Sequence, residues 1–144
     1  MANVIPDSFK TDLLKGEFNF ASSGGSTFKL ALYTDISGLT TATTAFTATN
    51  EVGTSGTNYS SGGNTLTNNG VAISSNIAFV DFADLTFSSV TLSAVGALIY
   101  KSSSGNEAVL VLDFGGTKTA TNGDFVVQFP TASNSAAIIR LGNA

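Results

Sequence analysis

Residues 85–130 read LTFSSVTLSAVGALIYKSSSGNEAVLVLDFGGTKTATNGDFVVQFP, and the alternation within them decides the fold class. Val90, Leu92 and Ala94 share one parity in residues 90–100; Gly96 then breaks the phase, and Leu98 and Tyr100 follow with Ile99 opposite. Residues 108–113 and 124–129 are likewise rich in Val, Leu and Phe. The links at 102–106 and 115–123 consist largely of Ser, Gly, Asn and Thr, which accept positive φ or bond locally to turn backbone. This pattern predicts an antiparallel meander of three long strands whose sheet forms the core. Taken on residues alone, it specifies an all-β domain and shows no chemistry.

Working outward, the N-terminal side begins with a helix signal. Pro6 excludes helix before it, Asp7 or Ser8 can accept from first-turn amides, and Phe9, Leu13 and Leu14 fall on one side before Gly16. A helix over 8–15 spans about two turns, too few to hold alone, so it docks on its own sheet or on a neighbouring subunit. Residues 17–20 and 27–34 read as a hairpin around Ser22-Ser23-Gly24-Gly25, with Phe18, Phe20, Phe28, Leu30 and Leu32 facing inward. The opposite parity, Lys29, Ala31 and Tyr33, reads as half-exposed. Residues 35–63 form the longest irregular region, anchored by Leu39, Phe46, Val52 and Tyr59, with a short helical turn or edge strand expected near 43–49.

Strand character returns at 64–67, 71–74 and 76–82, with Asn68-Asn69-Gly70 as a turn, and 137–141 closes the chain after Pro130 interrupts pairing. Eight to ten strands in one domain predict an all-β, antiparallel two-sheet sandwich, jelly-roll-like, with a short N-terminal helix; a closed barrel is the alternative. Residues 1–16 are expected to form an arm and helix, and residues 17–144 a single β-sandwich domain.

Composition narrows the function. The 144 residues bury enough surface to fold without metals or crosslinks. Charged residues are 11% and hydrophobic residues 42%, while Thr, Ser, Asn and Gly supply 64 positions, a balance that favours strands joined by turns. A net charge of −4, with six dispersed Lys and Arg, offers no stripe for a phosphate backbone, so no nucleic-acid partner is expected. No apolar run reaches the roughly 20 residues of a membrane span, and residues 1–20 lack signal-peptide features. Synthesis in the cytoplasm of the producing cell, without membrane association, is the expectation. The chain has no cysteine, which fits a reducing compartment of synthesis or a particle independent of redox state.

The chain also has no histidine, so Ser-His-Asp and Cys-His arrangements are impossible. Asp81 and Asp84 could pair as carboxylates, or join Asp113 and Asp124 as a calcium cluster, but isolated acids at strand ends more often form turns and guard edges. Gly115-Gly116-Thr117-Lys118-Thr119 lacks the glycine a phosphate loop needs before its lysine, and Asp113-Phe114-Gly115 has no kinase context. Asn58-Tyr59-Ser60 matches a glycosylation acceptor, without a secretory signal to give it meaning. Tyr33, Tyr59 and Tyr100 could stack on sugars, although anchoring loops is the simpler role. No catalytic, cofactor-binding or metal-ligating residue is assigned, and no enzyme activity is expected.

The opening Met1-Ala2-Asn3-Val4-Ile5-Pro6-Asp7-Ser8-Phe9-Lys10, then Leu13-Leu14-Lys15-Gly16 and Phe28-Lys29-Leu30-Ala31-Leu32-Tyr33-Thr34, resembles a group of small virion proteins of tailed bacteriophages. Thr49-Asn50-Glu51-Val52, Gly62-Gly63-Asn64-Thr65-Leu66-Thr67, Asp81-Phe82-Ala83-Asp84, Gly96-Ala97-Leu98-Ile99-Tyr100, Val111-Leu112-Asp113-Phe114-Gly115 and Ala137-Ile138-Ile139-Arg140 are similar to the same group in order. The resemblance spans nearly the whole chain and implies a virion structural protein, a cement or decoration protein on the capsid surface. It further implies the major capsid protein as partner and a homo-oligomer, dimer or trimer; a tail or tail-fibre component binding host glycans through Tyr59, Tyr100 and loop amides is the alternative. A surface of short polar side chains loses little entropy on burial, which suits repeated subunit contacts. The 8–15 helix and the 35–63 loop, unexplained by the sheet core, are expected to supply those contacts. Removing residues 1–16 is expected to leave the domain folded but unable to bind particles.

Overall fold

Residues 85–130 fold as one long hairpin, where three strands were expected. The structure, a computed structural model, describes residues 2–143. Strand β5 (Leu85–Lys101) runs antiparallel to β6 (Ala108–Val127), and residues 115–123 stay inside β6, with Ala94 opposite Lys118, Ser93 opposite Thr119 and Leu92 opposite Ala120. The turn-forming residues here distort a ladder instead of reversing it. Between the pairs Ala94/Lys118 and Gly96/Asp113, β6 carries residues 114–117 against Val95 alone, with Gly115 and Gly116 at positive φ. Two further bulges place Ser89 (φ 54°) and Asn122 (φ 47°) in the left-handed region. Bulges and turns draw on the same residue types, which is why the local signal reads as a reversal. The real reversal is at 102–107, where the Ser103 hydroxyl accepts from the amides of Gly105 and Asn106 at 3.1 Å each.

Around this hairpin the chain adds α1 (Asp7–Leu14), β1 (Phe28–Tyr33), β2 (Asn64–Thr65), β3 (Asn68–Ser74), β4 (Ile77–Phe82) and β7 (Ile139–Leu141). Two antiparallel sheets result, ordered β2-β1-β5-β6 and β3-β4-β7, an open two-sheet sandwich and not a closed barrel. The seven strands fall short of the eight to ten counted, because residues 85–130 give two and residues 17–20 pair in no sheet. Phe18 and Phe20 still reach the core, and the Ser26 amide bonds the Asn19 carbonyl at 2.8 Å, so the chain folds back there without a ladder. Asn68-Asn69-Gly70 is likewise a bulged start of β3, with Gly70 at φ 96°. The β3–β4 turn is Ser75-Asn76, both at positive φ, the twist-matched type I′ geometry.

The part of the larger sheet formed by β1 with residues 96–101 and 108–112 is buried on both faces. Toward the second sheet, Phe28, Leu30, Leu32, Ile99, Leu110 and Leu112 meet Val80, Phe82 and Ile139. On the other face Ala31, Tyr33, Leu98, Tyr100 and Val111 pack beneath Ile36, Leu39 and Phe46. Ala31 and Tyr33, expected to be half-exposed, are 0% exposed. The loop over 35–63 is the cover, which accounts for the unbroken apolar runs at 97–100 and 108–112, since a strand covered on both sides loses its period of two. No helical turn forms at 43–49; a single bridge joins Ala45 to Glu107.

The N-terminal arm is built into the same body. Val4 exchanges two main-chain bonds with Val111, at 2.9 and 2.8 Å, extending the free edge of β6. Helix α1 then turns Phe9 into the core, 4.9 Å from the Phe18 ring and 6.1 Å from that of Phe20. Burying such a ring stabilises the fold by about 1.5–3 kcal/mol. Leu13 packs alongside, but Leu14, grouped with them by spacing, is 86% exposed. Pro6 occupies the N-cap position and no side chain caps the helix; Asp7 pairs with Lys10 at 2.8 Å.

Candidate functional site

The polar residues that could carry chemistry are held in structural roles. Tyr59 accepts from the Leu32 amide at 2.9 Å and donates to Glu51 Oε1 at 2.8 Å. Glu51 also takes the Ser61 hydroxyl at 2.8 Å and the Gly62 amide. Tyr100 donates to the Gly62 carbonyl at 2.7 Å, and Tyr33 to the Thr47 carbonyl at 2.6 Å. Burial, above all, raises the pKa of each phenol, with the Glu51 carboxylate adding to it. The three hydroxyls stitch the 35–63 loop to the larger sheet. Tyr59 and Tyr100 are each 3% exposed, so neither offers a ring face to a sugar, and the simpler loop-anchor role is the one they fill.

The acids singled out by sequence hold local backbone. Asp81 accepts from the Asn69 side chain at 2.7 Å, and Asp84 from the Phe129 amide at 2.8 Å. Asp113 takes the Gly115 amide at 2.8 Å, which holds its carboxyl below the usual range, and Asp124 takes the Ser89 amide at 3.2 Å across a bulge. Among the described residues no three His, Cys, Asp or Glu side chains converge in a cation-binding group. Of Gly115-Gly116-Thr117-Lys118-Thr119, residues 115–117 lie in the widest bulge of β6, Lys118 and Thr119 rejoin the ladder, and no helix follows among the described residues.

Two surface features remain. One is a cleft of about 450 Å³ beside the β6 bulge, whose lining includes the apolar Phe114, Phe125 and Phe129 and brings Lys118 together with two of the acids singled out by sequence, Asp113 and Asp124. The other lies on the smaller sheet. Cross-strand pairing aligns Val71, Val80 and Ile139 in one row and Ile73, Ala78 and Leu141 in the next. Val80 and Ile139 face the core, but Val71, Ile73 and Leu141 are 58%, 74% and 62% exposed. The second row runs past the shelter of the larger sheet and leaves an apolar strip in water. Sequence marked residues 71–74 as strand; it carried no sign that Val71 and Ile73 overhang.

The 8–15 helix, expected to dock on its own sheet or on a neighbouring subunit, docks Phe9 and Leu13 on its own chain, and the 35–63 loop packs its anchors down within the chain as expected. What they leave outside is Leu14 and the Thr, Ser and Gly turns of the loop. Compared with known proteins, the chain matches no family model, no curated protein and no solved structure. No helix among the described residues is long and apolar enough to cross a membrane.

Proposed function

We propose that the chain is a non-enzymatic virion structural protein, a capsid cement or decoration protein that stabilises a tailed-phage head by binding its major capsid protein as a homo-oligomer. The observation that carries this reading is the ordered run of segments, from Met1-Ala2-Asn3-Val4-Ile5-Pro6 to Ala137-Ile138-Ile139-Arg140, that resembles small virion proteins of tailed phages. Two structural observations support it. Tyrosines and acids that might serve a reaction are committed to holding backbone, and the loop layer presents short Thr, Ser and Gly side chains that lose little entropy in a contact. The action is mass action: each copy bound to the assembled shell, and not to its dissociated subunits, shifts the equilibrium toward the shell.

The test is the number of copies per purified particle, by quantitative mass spectrometry against the major capsid protein. A number comparable to that of the capsid subunit is expected. A handful of copies per particle would overturn the capsid assignment and favour the tail, with host-glycan binding as the role to examine.

A further inference from the structure

We propose that the free edge of β3 pairs antiparallel with β3 of a second copy, joining the two three-stranded sheets into one sheet of six. The four sheet edges differ sharply in how they are protected. β2 has two residues, and β7 has three and carries Arg140. β6 is bulged, bonded by Val4 and lined with Asp113, Lys118 and Asp124. β3 is the longest regular edge; its start is covered by the 20–22 segment, where the Asn68 side chain bonds the Phe20 carbonyl and Gly70 lies against Ser22, but Val71-Ala72-Ile73-Ser74 beyond it is exposed and has no charge or proline to block pairing.

The hairpin turn fixes which groups are available. Ser74 and Ile77 flank a two-residue type I′ turn and form a hydrogen-bonded pair, so the alternation directs the N–H and C=O of Ile73 and Val71 away from β4. No main-chain bond from elsewhere in the described residues reaches them. A two-fold axis at Ala72 sets Val71 against the copy's Ile73 and Ile73 against the copy's Val71, satisfying all four groups on each strand. Each exposed branched side chain then gains a branched cross-strand neighbour. The overhanging row Ile73-Ala78-Leu141 continues into the copy's row Val71-Val80-Ile139.

Self-complementarity favours a copy as the occupant, since a two-fold axis at Ala72 sets Val71 against Ile73 in both directions. A chain of net charge −4 repels its own copies over most of its surface, but an uncharged strand meets itself with no like charges opposed. So short an edge buries less than the ~800 Å² per partner of a standard interface, so the dimer is concentration-dependent. This contact is independent of the virion assignment.

The test uses the absence of cysteine. Across the axis the Ala72 residues form a non-hydrogen-bonded pair, whose Cα separation of about 4.5 Å suits a disulfide. Ala72→Cys is expected to cross-link under mild oxidation much faster than Thr54→Cys on the exposed loop, and adding Ile73→Lys is expected to slow it by about tenfold or more. In sedimentation equilibrium the wild-type mass is expected to rise with concentration from 14.6 kDa toward twice that value, and Ile73→Lys to hold it at the monomer. Cross-linking no faster than the loop control, or a dimer indifferent to Ile73→Lys, overturns the proposal. A monomer at every concentration overturns it too; if Ile73→Lys then abolishes particle binding, the edge serves a capsid partner instead.

Discussion

All three tyrosines of the chain hold down the same loop, and each is pushed above its ordinary pKa of 10.0 chiefly by burial. A raised value means that the folded state prefers the neutral phenol. Their contribution is therefore fully present below pH 10.0 and is lost as pH rises toward the folded-state values, because the unfolded chain gives up these protons first. Tyrosinate absorbance is expected to rise in one cooperative step coincident with loss of near-UV circular dichroism, at a pH above 10.0. Ionisation near 10.0 with the fold intact would show that the loop lifts freely. Glu51 gives a second check: Glu51→Ala leaves the Tyr59 hydroxyl and the Gly62 amide short of an acceptor, at a cost of about 1–3 kcal/mol in urea unfolding. Glu51→Gln, which keeps an acceptor oxygen, is expected to lose less. Sequence marked Tyr59 as an anchor because it stands alone among Gly and Ser; Glu51 carried no such mark, since one carboxylate in a polar loop looks solvated until its three donors are seen.

Helix α1 shows what an element's spacing can and cannot say. Pro6 and Gly16 delimit it within one residue of the expected bounds, and Phe9 docks where a two-turn helix needs support. The choice between its own sheet and a neighbour was invisible, because it depends on Phe18 and Phe20 reaching the core without forming a strand. The outcome changes the expectation for removing residues 1–16. That truncation takes away the Val4 bonds to Val111, empties the Phe9 site and exposes Phe18 and Phe20, so it is expected to destabilise the sandwich by about 3 kcal/mol or more. Thermal unfolding of the truncated chain measures this, and a midpoint equal to that of the full chain would mean that the arm contributes nothing to the core. The β5–β6 hairpin teaches a related lesson: Gly115, Gly116 and Asn122 announce unusual φ, but whether the chain turns back or only kinks is settled by pairing with β5, far away in sequence.

At the scale of the molecule, the two antiparallel sheets were legible because alternating apolar residues and scarce helix formers leave few other ways to bury a core. The third layer was not. A 29-residue stretch of Thr, Ser, Ala and Gly has no periodicity of its own, and its order comes from single residues: Ile36, Leu39 and Phe46 press onto the outer face of the larger sheet, while Val52 and Tyr59 reach into the core between the sheets. Between two of these anchors lies the turn at 53–57. Val52 is fixed to the Leu32 carbonyl at 2.9 Å, the Thr57 hydroxyl closes onto the Gly53 carbonyl at 2.6 Å, and the Thr57 carbonyl takes the Thr91 amide at 3.0 Å. Residues 53–56 stand in solvent on this clamped base, with nothing within 4 Å of a Cβ built at Gly53 or Gly56. The turn is thus a graft point: a foreign peptide spliced between Thr54 and Ser55 leaves both anchors in place and rides outward on a rigid pedestal, ready for display.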